Sequence, residues 1–275
     1  MSRHAIMQVL GGSYIMDFLS TIKSTKPETG SVRIFWLGQA GFLIQTSAGY
    51  TIAIDPYFSD CVMRLIPQEG QGFKRLTPPL CMAEDTAFSA LLITHEHNDH
   101  FDVDSIEALM ANGHTHLYAN APVVNQIQEM GLDVSRVHMM MKSSPFSLDK
   151  YKVIPMDCDH GELAPEALGL MFDFGFTRIY FAGDTALSPD RLKQAITAKP
   201  EVAILPINGA YGNLNSREAA EYSVMLGCKI CIPCHFWTFP LHHGDPQSFL
   251  DEMAMLAPNC EARLLCQGEY TDIKS

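Results

Sequence analysis

One segment constrains this chain more than any other. Thr94-His-Glu-His-Asn-Asp-His follows directly on a short apolar run, Ala90 to Ile93, so that His95, His97, Asp99 and His100 fall within six residues. Imidazole nitrogen and carboxylate oxygen are usual ligands for zinc, and they also suit manganese or iron. Polar side chains placed at the end of a buried strand need partners, and a metal supplies them. In an extended loop His95 and His97 point to one side, and a turn through Asn98 brings Asp99 and His100 to a neighbouring point. Whatever fold the chain adopts must therefore deliver a strand end to a polar, metal-holding cleft.

The rest of the sequence supplies the scaffold. Val32 to Leu37, Phe42 to Thr46 and Tyr50 to Ile54 are rich in β-branched and aromatic residues and are separated by Gly38, Gly41 and Gly49, which predicts a meander. Asp55-Pro56 ends its third strand. Strands then alternate with helices. Strands are expected at Ala90–Ile93, Thr115–Tyr118, Arg136–Met140, Lys152–Met156, Gly169–Phe174, Arg178–Phe181, Val202–Pro206, Lys229–Ile232 and Arg263–Cys266. Helices are expected at Asp104–Met110, with Asp104 and Glu107 at capping-box spacing, and at Val123–Met130 and Leu192–Ile196. Two more are expected at Glu218–Leu226, capped by Asn215 or Ser216, and after Asp245-Pro246. This order suggests one domain, residues 1–275, of two sheets with helices outside. The stretch 61–85 has no clean period and reads as a long loop or lid.

Composition enters by exclusion. With 31 acidic and 19 basic residues the formal charge is -12, and no Lys/Arg cluster suits a phosphate backbone, so nucleic acid is not expected as a partner. No apolar stretch approaches the ~20 residues of a membrane span. Met1 to Ser20 lacks a basic region followed by a cleavage site and reads as mature chain. Eight cysteines sit mostly among apolar neighbours, as expected of free thiols in a reducing cytoplasm. Cys228, Cys231 and Cys234 are spaced like part of an iron–sulfur run, but three-residue steps along a strand alternate faces. Trp36 reads as core.

The spacing of His95, His97, Asp99 and His100 resembles the His-x-His-x-Asp-His signature of the metallo-β-lactamase superfamily, matching it at every ligand position. The resemblance implies an α/β fold (α+β by some schemes), a four-layer αββα sandwich over nearly the whole chain. It also implies three further ligands after later strands. These are His160 in Met156-Asp-Cys-Asp-His-Gly, with Asp157 and Asp159 as neighbours that could serve instead, and Asp184 in Tyr180-Phe-Ala-Gly-Asp-Thr. The last is His235 in Ile232-Pro-Cys-His-Phe-Trp, with His242 and His243 as more distant competitors. Carried over, one divalent ion would take His95, His97, His160 and Asp184, and a second Asp99, His100, Asp184 and His235. Two ions ~3.5–4 Å apart would share an attacking hydroxide, with Asp99 as the catalytic group that orients it and relays a proton. Zinc and manganese suit the donors, as does iron.

Narrower resemblance is carried by Trp36-Leu-Gly-Gln-Ala-Gly-Phe, His97-Asn-Asp-His-Phe-Asp-Val, Pro233-Cys-His-Phe-Trp and the Gly/Asn-rich stretch Leu205 to Ala220. These are similar to the branch that contains ascorbate-6-phosphate lactonase. They imply a cytoplasmic hydrolase opening a small, anionic sugar-acid lactone. Histidine at position 97, where redox di-iron members carry glutamate, favours hydrolysis. A metal-dependent phosphodiesterase is the alternative within the same chemistry. A metal-bearing sensor without turnover, its pocket blocked by 61–85, is the alternative outside it. Oligomeric state is left open. In the 211–217 loop, Tyr211, Asn213 and Arg217 are read as donors to a substrate phosphate or hydroxyl. The competing reading makes the Asn residues turn and cap positions. Trp237 either walls the pocket or packs in the core.

Overall fold

The computed structural model describes residues 18–274. The apolar run Ala5 to Leu10, and most of the N-terminal stretch read as mature chain, lie outside the described residues. The elements are α1 Phe18–Ser24, β1 Ser31–Gly38, β2 Gly41–Thr46, β3 Thr51–Ile54, α2 Cys61–Leu65, β4 Ala90–Ile93, α3 Ile106–Met110, β5 His116–Ala119, α4 Ala121–Glu129 and β6 Val137–Met139. They continue with β7 Phe146–Leu148, β8 Tyr151–Asp157, β9 Leu168–Asp173, β10 Arg178–Phe181, α5 Lys193–Ala198, β11 Val202–Pro206, α6 Ser216–Leu226, β12 Ile230–Cys234, α7 Pro246–Leu256, β13 Glu261–Ala262 and β14 Tyr270–Lys274. No helix among the described residues is long and apolar enough to cross a membrane.

Two seven-stranded sheets form, ordered β14-β1-β2-β3-β4-β5-β6 and β13-β12-β11-β10-β9-β8-β7. Both are mixed. The meander pairs antiparallel and the strand–helix half pairs parallel, because a crossover helix returns each strand in the same direction. One core cluster holds Val32, Ile34, Phe42 and Ile44 of the first sheet with Val153, Leu170, Phe172 and Ile204 of the second, so the sheets pack face to face. That cluster continues through the second sheet to Ala219, Tyr222, Phe249 and Met253 of α6 and α7. The outer face of the first sheet packs Phe35, Leu91 and Leu117 against Phe18, Ile106 and Val123 of α1, α3 and α4. The result is the four-layer αββα sandwich.

Local sequence explains the helix starts. Asn215 caps α6 in a full capping box with Glu218, at 3.0 and 2.9 Å, and Asp245 caps α7 ahead of Pro246. The expected Asp104–Glu107 box does not form. Asp104 is drawn off to Arg64, and the buried Asp102 takes over the turn, accepting from Ser105 Oγ at 2.7 Å and from the backbone NH of Phe58 and Ser59. Helix α3 therefore starts at Ile106.

The last strand is also corrected. Arg263–Cys266 is not a strand. Pairing with β12 stops after Glu261–Ala262, and the chain crosses through Gly268 to the other sheet, where β14 pairs antiparallel with β1. A bidentate Arg33–Asp272 pair, at 2.7 and 2.9 Å, locks that register. Strand β7, an edge strand paired only with β8, has no counterpart among the expected strands.

The 61–85 segment is not wholly irregular. It carries α2 and two 3₁₀ turns, and it buries Cys61, Val62, Phe73 and Ala83. Its backbone is stitched to the loop after β12 by Leu76 N to Thr238 O (2.9 Å) and Leu241 N to Gly72 O (3.1 Å).

Candidate metal centre

The chain leaves the C-terminal ends of β3, β4, β8, β10 and β12 at one end of the sandwich. Asp55 and His235 follow their strands directly, and His95, His160 and Asp184 come two or three residues after theirs. The fold thus gathers side chains up to 180 positions apart because each follows a strand of the same core. All seven sequence-predicted ligands meet here. His95, His97 and His160 form one group able to hold a metal, Asp99, His100 and His235 form another, and His95, His100 and Asp184 a third between them.

In the first group His97 Nδ1 lies 3.1 Å from His95 Nε2 and 3.2 Å from His160 Nε2. In the second, His100 Nε2 and His235 Nε2 are 3.3 Å apart, and His235 Nε2 is 3.3 Å from Asp99 Oδ2. Asp184 reaches both. Its Oδ1 lies 3.2 Å from His100 and 3.3 Å from His235, and its Oδ2 lies 3.7 Å from His160. Asp184 Oδ1 is sealed from solvent yet makes no hydrogen bond of acceptable angle. An orphaned buried carboxylate oxygen amid converging imidazole nitrogens fits divalent-metal ligation well, and the His/Asp donors suit it chemically.

Outer partners orient these donors. Asp55 is fully buried and accepts from Thr94 N (2.8 Å), Thr94 Oγ1 (2.6 Å) and His100 Nδ1 (2.8 Å), which aims His100 Nε2 inward. His97 Nε2 donates to the Leu163 carbonyl at 3.2 Å, leaving Nδ1 for the cluster. Gln39 Nε2 donates to Asp99 Oδ2 at 2.9 Å, and Asn213 Nδ2 to Asp184 Oδ2 at 2.7 Å. Of the eight described non-glycine residues with positive φ, five lie at the cluster or its rim. They are Gln39, Asp55, Tyr211, His235 and Trp237, at 44° to 64°. Strained backbone concentrated at one place marks it as functional.

Charge follows from this geometry. Burial alone would raise the Asp99 and Asp184 carboxyls, but His100 and His235 outweigh it and hold both well below the usual carboxylate range. The converse holds for the imidazoles. Burial opposes their charge, yet Asp184 and its neighbouring carboxylates raise His100 well above its ordinary value and His235 to about 9. Burial, joined by the neighbouring imidazoles, keeps His95 low. A ligating imidazole must be unprotonated, so metal uptake at pH 7 displaces protons from the second group. Calorimetric titration of zinc in buffers of different ionisation enthalpy should show net proton release that shrinks as pH rises through about 9. Uptake without proton release would contradict this charge arrangement.

The competitors resolve by geometry. Asp157 pairs with Lys142 and Arg191, and Asp159 with Arg191, so neither replaces His160. His243 is exposed, whereas His242 is buried and stacks on His235 at 4.7 Å. The substrate-facing set fares less evenly. Tyr211 stands beside Phe73 and His242. Asn213 steadies Asp184. The Arg217 guanidinium pairs with Glu221 and Glu252 on α6 and α7, neither of them in the cluster. Trp237 is 62% exposed rather than core, and Trp36 is buried against Phe236. Sequence reasoning missed Gln39 and Asp55, and it weighed His242 only as a competing ligand. The two local signals were a non-glycine residue wedged in a glycine turn, Gly38-Gln-Ala-Gly, and the Asp at the end of β3.

Comparison with known proteins bears on the family and the fold. Residues 50–236 match the family model described as the beta-lactamase superfamily domain. A UPF0173 metal-dependent hydrolase of Myxococcus xanthus is 30% identical over 238 residues, covering 82% of this chain and 78% of that protein. One of Rubrobacter xylanophilus is 29% identical over 252 residues, covering 87% and 96%. Among solved structures, a metallo hydrolase from the archaeon Ignicoccus hospitalis superposes with a TM-score of 0.69 at 22% identity, covering 89% of this chain and 99% of that one. An isothiocyanate hydrolase from Delia radicum gut bacteria superposes with 0.68 at 18%, covering 87% and 98%. These two likenesses speak for the fold. With the family model spanning over half of its length and such relatives aligned across most of it, the chain belongs to the metallo-β-lactamase superfamily, within the UPF0173 metal-dependent hydrolases.

Proposed function

We propose that this cleft hydrolyses a small carboxylic ester, in first place a lactone of a sugar acid, using two divalent ions, zinc or manganese. The observation that carries the reading is the pair of three-residue groups meeting at the shared carboxylate of Asp184. His95, His97 and His160 would hold one ion, Asp99, His100 and His235 the other, and Asp184 would touch both. Metal bound there supplies Lewis-acid polarisation of an acyl oxygen and acidified water as nucleophile. Asp99, held as a carboxylate and steadied by Gln39, is placed to orient that water, take its proton and pass it to the leaving oxygen.

Sequence likeness around Trp36, His97 and Pro233 supports the lactone over other esters. The eight free thiols suit a reducing cytoplasm. The net acidic charge suits a small molecule better than nucleic acid. Because Arg217 is paired elsewhere, a phosphate on the substrate has no assigned guanidinium partner.

The test is a panel of sugar lactones, activated carboxylic esters and phosphodiesters with zinc- and manganese-loaded protein. Lactone turnover, lost on chelation and restored by metal, is the expected result. Turnover of phosphodiesters alone would replace the proposal with a phosphodiesterase. Bound metal with no turnover across the panel would favour a sensor.

A further inference from the structure

Among the described residues, His242 is the one imidazole packed against the centre that belongs to none of the metal-holding groups. It is 5% exposed, stacks on His235 at 4.7 Å, and sits among the rings of Phe73, Phe239 and Tyr211 at 6.0, 5.0 and 5.7 Å. Its Nδ1 lies 3.1 Å from Gln39 Nε2, the same nitrogen that donates to Asp99 Oδ2 at 2.9 Å. The Asp99 carboxylate only accepts, so the amide must present its NH₂ there and cannot be flipped. One amide hydrogen goes to Asp99 and the other to His242, whose Nδ1 is nearer than either ring nitrogen of His235, both 3.3 Å away. An amide nitrogen has no lone pair to offer, so His242 Nδ1 must be the acceptor. The imidazole is therefore neutral, with its proton on Nε2. That nitrogen has no hydrogen-bond partner among the described residues.

Resting on the hydrolase reading above, we infer that His242 Nε2–H is a substrate-contacting donor, aimed at the acyl or phosphoryl oxygen that gains charge beside the second metal group. The Asp99–Gln39 contact fixes its tautomer. A neutral donor held this way needs no reorganisation as charge develops. The rings of Phe73, Phe239 and Tyr211 lower the polarity around the imidazole, which strengthens a hydrogen bond made there.

His242→Phe removes the donor and keeps a ring in the stack, and His242→Gln restores an N–H. In zinc-loaded protein, His242→Phe should lose about tenfold to a hundredfold in kcat/KM, mostly in kcat. Metal content and melting temperature should be unchanged, and His242→Gln should recover part of the loss. Nitrogen NMR of the histidine side chains, assigned by the signal missing from His242→Phe, should show His242 protonated at Nε2. Unchanged turnover in His242→Phe, loss of a metal equivalent, or a proton on Nδ1 would each overturn the inference. Should the wild type hydrolyse none of the esters, the hydrolase reading fails separately. Inorganic phosphate binding by calorimetry then decides, and equal affinity in wild type and His242→Phe would overturn the donor role.

Discussion

Asp184→Ala is expected to abolish hydrolysis, with kcat/KM falling about a thousandfold or more, while the fold persists. Losing an outer-shell partner of a metal site costs about tenfold to a hundredfold. Asp184 should cost more, because its two oxygens reach His100, His235 and His160 and so serve both halves of the centre. Its removal leaves three carboxylate–imidazole contacts unmade and frees the Asn213 amide. The fold should survive because the carboxylate sits at the strand ends, outside the apolar cluster that joins the sheets. The checks are metal content by elemental analysis, turnover of the best substrate, and circular dichroism. His97→Ala should behave similarly. Wild-type turnover by Asp184→Ala after metal removal would refute the proposed centre.

Asp55→Ala should produce the largest loss of stability of any substitution near the cluster, about 4 kcal/mol. Asp55 is wholly buried, and its two oxygens satisfy one backbone NH, one hydroxyl and one imidazole. Alanine leaves all three buried donors without a partner, and each orphan carries its own desolvation cost. It also places a β-carbon residue without a side-chain acceptor at φ 44°, a conformation that Asp and Asn tolerate better. The melting temperature should fall by about 10 °C. Asp55→Asn keeps the backbone conformation and one acceptor, so it should fall by clearly less. An alanine variant melting within about 2 °C of the wild type would show that these hydrogen bonds contribute little.

Much of this site is legible in the sequence. His95 to His100 are contiguous, so a strand end and one turn suffice to group them, and local spacing carries that information. His160, Asp184 and His235 each follow closely on an apolar strand run. Their convergence follows once the strands share a sheet end. The caps at Asn215 and Asp245 are visible for the same reason, since a capping bond spans two or three residues. Strand β14 is not visible. Tyr-Thr-Asp-Ile-Lys is polar, and it is a strand only because the edge of β1 and the Arg33 guanidinium are there to receive it.

By itself, then, the sequence determined which groups gather at the candidate centre and the order in which they arrive at the strand ends. Tertiary structure alone decided which polar neighbours would orient them. Gln39 meets His242 across 203 positions, and Asp55 meets His100 across 45. Arg217 turned to two glutamates on the helical face instead of the cleft. Such partners leave no periodic or local trace, because a hydrogen bond depends on where two backbones come to lie in space, and that is set by the packing of the whole core.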